Sequence, residues 1–230
     1  MTTMAPREGT GTRDWTPPVG ELRASALGAC PRYAWYQMRI PEDERPVEPI
    51  GREVMMFAGH AAEHRYFEIL NARGANWTLD YDLDNGFGGI CHPDGLDFER
   101  RVVAEIKFTG YKNPAGYHLA QISWYMHRMA VTTGETWSGE VHLLDKYGGE
   151  PRVHPVAPPD AKLIQHLTRL AELHMAPEPP PGICKTPEDA GDVRYYDVAA
   201  CGKKSAKGKE IVCPMARLCF PPPDDGMEVW

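Results

Sequence analysis

The stretch Gly89–Lys107, GICHPDGLDFERRVVAEIK, decides the fold because acidic residues stand at the ends of two short segments that favour β-structure. Residues 101–106 are β-branched and apolar enough for a strand, and Asp94 falls where a preceding strand would turn. If the two strands pair antiparallel, Asp94 and Glu105 face each other across one sheet. Glu105 and Lys107 are two positions apart, so they point to the same face. The stretch therefore predicts two carboxylates and a lysine at one point of a sheet.

Two carboxylates and a lysine at one point are a costly arrangement unless something binds there. The ion expected at such a point is a hard divalent cation that binds oxygen ligands, such as Mg²⁺ or Mn²⁺. A lysine beside such an ion can orient an attacking water or help to deprotonate it. The pattern therefore indicates metal-assisted hydrolysis.

Composition limits the class of protein. The chain has 230 residues, 42% of them hydrophobic, which suits one domain with appended arms. A net charge of −7 argues against a surface coated in basic residues but leaves room for a local basic patch. No apolar run approaches the ~20 residues that cross a bilayer, and the first residues lack the apolar core of a secretory signal. We expect a cytoplasmic protein, and in that reducing compartment its six cysteines favour metal or cluster binding over disulfides.

A helix is predicted before the acidic strands, over residues 54–72. It carries three competing candidates for a further metal ligand: His60, Glu63 and His64. His60 shares a helix face with Glu63 at a spacing of three and with His64 at a spacing of four. An ordinary solvated helix face is an equally good interpretation of any one of them.

The elements after the acidic strands complete an α/β pattern. A helix is predicted over residues 116–133, and on it Gln121 and Tyr125 share a face at a spacing of four. Residues 140–144 and 152–156 read as a hairpin with a Gly-Gly turn. Asp160 is a candidate N-cap for a helix over residues 161–174. Before the core, residues 21–38 read as helix with an interruption at Cys30-Pro31, where Pro31 can open a second helix.

Four regions follow from this pattern: a flexible N-terminal arm (1–19), a core (20–176), a segment rich in proline and cysteine (177–220) and a loose tail (221–230). Four thiolates in the third region could order it around an iron–sulfur cluster or a structural zinc. The local candidates are Cys184, Cys201, Cys213 and Cys219. Alternatively, Cys30 replaces Cys184 and joins the two ends of the chain. Cys91 reads as a packing residue.

A lysine-rich loop lies between Cys201 and Cys213. Residues 201–219 carry five cationic side chains against one glutamate, a local net charge of +4. The lysines concerned are Lys203, Lys204, Lys207 and Lys209. The loop is a candidate for contacting DNA phosphates, and a solvated insertion is an equally good interpretation.

Taken in order, these motifs resemble the RecB-like branch of the PD-(D/E)xK nuclease superfamily. The order is a helix-borne His or Glu, then Asp94, then Glu105-x-Lys107, then Gln121-x-x-x-Tyr125. One cysteine before this core and a cysteine group after it are similar to the iron–sulfur members. Those members include CRISPR-associated exonucleases, the AddB nuclease domain and phage-encoded recombination exonucleases. The resemblance covers about residues 22–220.

The resemblance implies a central mixed sheet flanked by helices, with a restriction-endonuclease-like core and a C-terminal iron–sulfur segment that clasps the N-terminal helix. It implies Mg²⁺ or Mn²⁺ bound by Asp94, Glu105 and the backbone carbonyl of Ile106, with Glu63 or a neighbouring histidine completing the shell. It also implies a [4Fe–4S] cluster. The ligands by this resemblance are Cys30, Cys201, Cys213 and Cys219, with Cys184 as the alternative to Cys201.

Two positions depart from the usual family pattern. Relatives commonly have the second and third cysteines as C-x-x-C, whereas Cys201 and Cys213 flank the lysine-rich loop. Either this loop is expanded, or Cys184 takes the place of Cys201. The first motif is commonly a histidine four residues after a glycine, and here the fourth residue after Gly59 is Glu63.

The implied activity is hydrolysis of DNA phosphodiester bonds from ends, in recombination, repair or phage DNA metabolism, with a recombination protein as a possible partner. Lys107 would position the attacking water, and Gln121 and Tyr125 would contact the DNA strand or orient the lysine. The alternative is a non-catalytic DNA-binding or adaptor module with a structural iron–sulfur or zinc centre.

Overall fold

The computed structural model of the chain describes residues 22–41 and 50–182, and two short strands at 203–204 and 210–211. Four helices and a short 3-10 turn lie in these ranges. The bounds are Ala24–Ala26 for the 3-10 turn, Pro31–Arg39 for α1, Ile50–Ala72 for α2, Gly116–Thr133 for α3 and Ala161–Met175 for α4. None of the helices in these described ranges is long and apolar enough to span a bilayer.

The strands form one larger sheet and two small antiparallel pairs. Their bounds are Leu83–Asp84 (β1), Ile90–Cys91 (β2), Gly95–Asp97 (β3), Val102–Thr109 (β4), Ser138–Asp145 (β5), Arg152–Val156 (β6), Lys203–Lys204 (β7) and Glu210–Ile211 (β8). The larger sheet has the order β3-β4-β5-β6, whereas β1 pairs with β2 and β7 with β8. The strand that was expected to end in a turn at Asp94 is β2, and it pairs with β1. The strand that pairs antiparallel with β4 is β3, which begins at Gly95, where the turn was expected.

The four-stranded sheet is mixed. β4 pairs antiparallel with β3 and parallel with β5, and β5 pairs antiparallel with β6. The parallel pair is joined through α3, since a parallel connection needs a long crossover. The protein is therefore an α/β protein with a mixed sheet flanked by helices, as the sequence predicted.

Alternation along β4 divides the apolar core between the two faces of the sheet. Val103 packs with Ile122 and Met126 of α3 on one face. Ala104 and Ile106 belong to a second cluster with aromatic side chains of α2 and the segment that follows it. Because successive side chains of a strand point to opposite faces, Glu105 and Lys107 lie on the α3 side of β4.

The predicted helix over residues 21–38 is wrong in its first half. Within the described residues 22–30 the chain forms only the 3-10 turn, and α1 begins with Pro31 at its first position. Proline suits that position because its fixed φ fits the first turn and its missing N–H would have no partner there. The helix over residues 161–174 is present, and the Oδ1 atom of Asp160 accepts a hydrogen bond of 2.7 Å from the backbone N–H of Leu163.

Candidate active site

The antiparallel pairing of β3 with β4 brings Asp94 to Glu105. Gly95 lies opposite Ala104, so the same register extended by one residue sets Asp94 against Glu105. The carboxylate of Asp94 accepts a hydrogen bond of 2.6 Å from the backbone N–H of Ile106. Asp94 is therefore held against β4 where the β3–β4 ladder ends.

Glu105 is the most deeply buried charged group of the site. Its side chain has no solvent exposure and forms an ion pair with Lys107, which is 26% exposed. Neither carboxylate oxygen has a hydrogen-bond partner of normal geometry among the described residues. A buried carboxylate satisfied by one cation alone is costly, so the position favours a ligand that supplies further positive charge.

Burial and neighbouring charges shift the pKa values of this group. Burial raises the pKa of Asp94 to about 6, although Lys107 and the Ile106 N–H act in the opposite direction. Burial, reinforced by Asp94, raises the pKa of Glu105 to about 8. Burial alone would lower the pKa of Lys107, but Glu105 and Asp94 outweigh it, so this pKa is raised and the amine stays protonated. At this site the protonated Lys107 therefore lies beside two carboxyl groups, and burial disfavours the ionisation of both.

One face of α2 lies along β4 and β3 and brings Glu63 to the site. Gly59, Glu63 and Phe67 are four residues apart and share this face. A Cβ built on Gly59 would lie 3.8 Å from the Cβ of Phe108, and one built on Gly95 would lie 2.7 Å from the ring of Phe67. Glu63, between these two contacts, is close enough to contribute to the raised pKa values of Asp94 and Glu105.

The two competing histidines of α2 differ in their surroundings. His60 lies beside Glu63, with 3.3 Å between Nδ1 and Oε2, and acts to lower the pKa of Asp94. His64 instead contacts Glu68 at 3.3 Å and Asp80 at 3.9 Å. The structure therefore brings Glu63 and His60 toward the acidic pair and turns His64 toward other carboxylates.

α3 supplies the opposite wall of the site. Gln121 and Tyr125 are both buried, and Nε2 of Gln121 donates a 3.1 Å hydrogen bond to the hydroxyl of Tyr125. Burial raises the pKa of Tyr125 well above its usual value, and Glu105 and Asp94 contribute to the shift. The hydroxyl is therefore a neutral group close to both carboxylates.

His118 belongs to the same face of α3 and was not singled out from the sequence. It precedes Gln121 by three residues, a spacing that could have indicated the shared face. Its Nδ1 accepts a 3.1 Å hydrogen bond from the backbone N–H of Ala115, which caps the helix. Burial, and next the charge of Lys107, lower the pKa of His118 to about 4, so the ring is neutral near the site.

A cavity of about 400 Å³ opens beside Tyr125. Its walls are the N-terminal residues 22–25 and the strand-end residues 90–92. Cys91, which lines it, is buried, and burial raises the pKa of its thiol to about 12. This thiol is therefore held in its protonated form, as suits a packing residue, and Cys91 lies in β2.

Within residues 22–41 and 50–182, no group of three His, Cys, Asp or Glu side chains is arranged to hold a metal ion. The predicted metal ligands are Asp94 and Glu105, of which Glu105 forms an ion pair with Lys107, and Glu63 lies nearby. The carbonyl of Ile106 points to the same side of β4 as its N–H, because both groups of a strand residue face the same neighbour. That side is where Asp94 lies.

Most of the predicted cluster ligands lie outside the described residues. Cys30 is buried at the N-cap of α1, whereas the other four candidates fall in ranges that the structure leaves undescribed: Cys184, Cys201, Cys213 and Cys219. Of the four predicted DNA-contacting lysines, Lys203 and Lys204 form β7, which pairs with β8. Lys207 and Lys209 lie outside the described residues.

The segment that leads into the cysteine-rich region runs along α1. Nε1 of Trp35 and Nη2 of Arg39 each donate a 2.7 Å hydrogen bond to the carbonyl of Ala176. Nε of Arg32 donates a 2.7 Å hydrogen bond to the carbonyl of Pro180. These bonds hold the chain that follows α4 against α1, and Arg32, which binds Pro180, is two residues after Cys30.

Comparison with known proteins adds little. The chain matches no protein-family model and no curated protein. It is similar to a solved structure titled "Crystal structure of SSO0001", with a TM-score of 0.43 and 16% sequence identity, over 67% of this chain and 74% of that chain.

Proposed function

We propose that the chain is a divalent-metal-dependent deoxyribonuclease of the PD-(D/E)xK type that hydrolyses phosphodiester bonds from DNA ends. One observation carries the proposal. Asp94, Glu105 and Lys107 meet at one edge of the sheet, and Asp94 is fixed there by the Ile106 N–H. A core of this kind serves recombination, repair or phage DNA metabolism, where a recombination protein is the expected partner.

The donor atoms are of the chemical types that Mg²⁺ or Mn²⁺ binds. Asp94, Glu105 and the carbonyl of Ile106 would hold the ion, and Glu63, or His60 in its place, would complete the shell. Hard oxygen donors are the ligands these ions prefer. The unsatisfied oxygens of Glu105 support this assignment, since a bound cation would offset the cost of burying them. The ion would polarise the scissile phosphate and lower the pKa of a bound water.

The remaining side chains would act on the water and the DNA. The ammonium group of Lys107, kept protonated by the two carboxylates, orients the attacking water and offsets the negative charge that develops on the phosphate. The hydroxyl of Tyr125, hydrogen-bonded to Gln121, contacts the DNA strand or holds the lysine. His118, neutral and fixed by its bond to Ala115, adds no charge that would compete with Lys107.

We further propose a [4Fe–4S] cluster bound by Cys30, Cys201, Cys213 and Cys219, with Cys184 as the alternative to Cys201 and a structural zinc as the alternative centre. The hydrogen bond from Arg32 to Pro180 supports a contact between the N-terminal helix and the cysteine-rich segment. Anaerobic purification followed by iron, sulfide and zinc analysis distinguishes the two centres. Stoichiometric zinc without iron would overturn the cluster.

The nuclease activity is tested on labelled linear and circular DNA with Mg²⁺ or Mn²⁺. We expect the wild-type chain to degrade linear DNA from its ends and the Lys107→Ala variant to lose the activity while keeping its fold by circular dichroism. Lys162→Ala, which removes an exposed lysine from α4, is the matched control and should cut normally. Full activity of Lys107→Ala would refute the proposed site.

A further inference from the structure

Two tyrosines stand exposed just beyond the C-terminal ends of β4 and β5. Tyr147 is 81% exposed and Tyr111 is 55% exposed. Tyr111 follows β4 and Tyr147 follows β5. These strands are parallel with Thr109 opposite Asp145, so both tyrosines leave the sheet at the same edge.

Local contacts hold the Tyr147 ring over the end of β4. A Cβ built on Gly110 would lie 3.0 Å from the ring of Tyr147 and 3.2 Å from Cε of Lys146, so glycine makes room for both side chains. The ammonium of Lys146 lies 5.1 Å from the centroid of the Tyr147 ring, within the range of a cation–π contact. The ring is thus positioned yet keeps most of its surface in solvent.

Cationic groups surround the two rings. Nη2 of Arg152 donates a 3.0 Å hydrogen bond to the carbonyl of Tyr111, and the adjacent Lys112 is exposed. Asp145 is only 20% exposed and lies 4.0 Å from the Arg152 guanidinium. The balance is three cationic side chains against two acidic ones: Lys112, Lys146 and Arg152, and Asp145 and Glu150.

This surface lies close to the proposed cutting centre. Tyr111 follows Lys107 by four residues, a separation of at most roughly 13 Å at ~3.3 Å per residue. Exposed aromatic rings with neighbouring cations are the features that bind single-stranded nucleic acid, by stacking on bases and by contact with phosphates. A paired base has both faces covered within its duplex, so an exposed ring favours an unpaired strand.

We propose that the Tyr147 surface, formed by Tyr111, Lys112, Lys146, Tyr147 and Arg152, binds a single strand of DNA next to the phosphate that is cut. The two tyrosines stack on unpaired bases, and the cationic side chains contact the flanking phosphates. The inference rests on the proposed nuclease function because the surface adjoins that site, and it assigns the part of the substrate that the site engages.

Fluorescence anisotropy with labelled oligothymidine of about 12 nucleotides tests the surface, using the full chain in EDTA so that no cutting occurs. We expect Tyr147→Ala to weaken binding about fivefold or more, whereas Tyr147→Phe, which keeps the ring, binds as wild type. Lys146→Ala should lower the slope of log affinity against log salt by about 0.7, the loss of one phosphate contact to a single strand. Lys162→Ala should change neither value.

Failure of this inference and failure of the nuclease proposal are distinguishable. If Tyr147→Ala and the Tyr111→Ala/Tyr147→Ala double variant bind the oligonucleotide as tightly as wild type, the surface is refuted, whatever the wild-type chain cuts. Absence of binding by the wild-type chain refutes it equally. Tyr147-dependent binding in a wild-type chain that cuts no DNA would instead retain the surface and overturn the nuclease.

Discussion

Glu105 is a buried carboxyl group whose ionisation is predicted to make the metal-free protein less stable as the pH rises. Replacing Glu105 with glutamine removes this pH dependence. Burial first, and Asp94 next, raise the pKa of this group in the native state from an ordinary value of 4.5 to about 8. Between these values the native state holds a proton that the unfolded chain has released. Stability is therefore highest below about pH 4.5 and falls as the pH rises through the native pKa.

The size of the effect follows from the two pKa values. One bound proton is worth about 1.4 kcal/mol per pH unit. Between about pH 6 and 8 the native carboxyl goes from almost fully to half protonated, so the wild type loses about 2 kcal/mol relative to Glu105→Gln. In a chain of this length that is roughly 4–8 °C in melting temperature. Asp94, with its pKa raised to about 6, is already half ionised at the lower limit of this range, so its titration contributes less there than that of Glu105.

Urea unfolding in EDTA, followed by tryptophan fluorescence, measures the difference. The chain has six tryptophans, and Trp77, Trp124 and Trp137 are buried in its two cores. The quantity to compare is the change of stability with pH. The substitution also removes the contact with Lys107, whose effect on the ionised carboxylate is already contained in the raised pKa of Glu105.

Glu172→Gln, which alters an exposed glutamate of α4, is the matched control and should follow the wild-type pH dependence. We expect the stability curve of Glu105→Gln to converge on or cross that of the wild type as the pH rises. Parallel curves for the two proteins between about pH 6 and 8 would refute the raised pKa, and with it the argument that burial of Glu105 favours a cation.

Three further outcomes are expected. The rate of DNA cutting should rise between about pH 6 and 8, because Asp94 and Glu105 must ionise to bind a metal; a flat pH–rate profile would contradict this. Asp160→Ala should lower the unfolding free energy by ~1 kcal/mol, through loss of the α4 cap, without changing activity per folded molecule. Gly95→Ala should destabilise by about 1–3 kcal/mol because its Cβ meets an α2 ring at 2.7 Å, whereas thermal melting should show that Gly59→Ala, with 3.8 Å of room, is tolerated.

Features that depend on local periodicity could be predicted from the sequence. Because side chains alternate along a strand, Glu105 and Lys107 were predicted to share one face of the sheet. The helical repeat likewise predicted that Gln121 and Tyr125 share one face of a helix. The start of α1 at Pro31 was predicted for the same reason, since it depends on neighbouring residues alone. The prediction of a helix before Cys30 was wrong, because the residues around Ala24 form a 3-10 turn whose first alanine is buried.

Features that depend on which surfaces pack together required the tertiary structure. Helix spacing alone allowed His60, Glu63 or His64 to approach the acidic pair, and the packing of α2 along β4 brought the first two there and turned His64 away. The proximity of His118 to Lys107 likewise arises where α3 crosses the end of β4.

The sequence by itself determined the acidic strand pair, the lysine beside it and the mixture of helices and strands, because each rests on contacts between residues near in the chain. Only the tertiary structure decided the burial that raises the pKa of Glu105 and the common edge at which Tyr111 and Tyr147 emerge. Burial and edge position depend on β4 and β5 being parallel neighbours under α3, a long-range arrangement that local spacing does not specify.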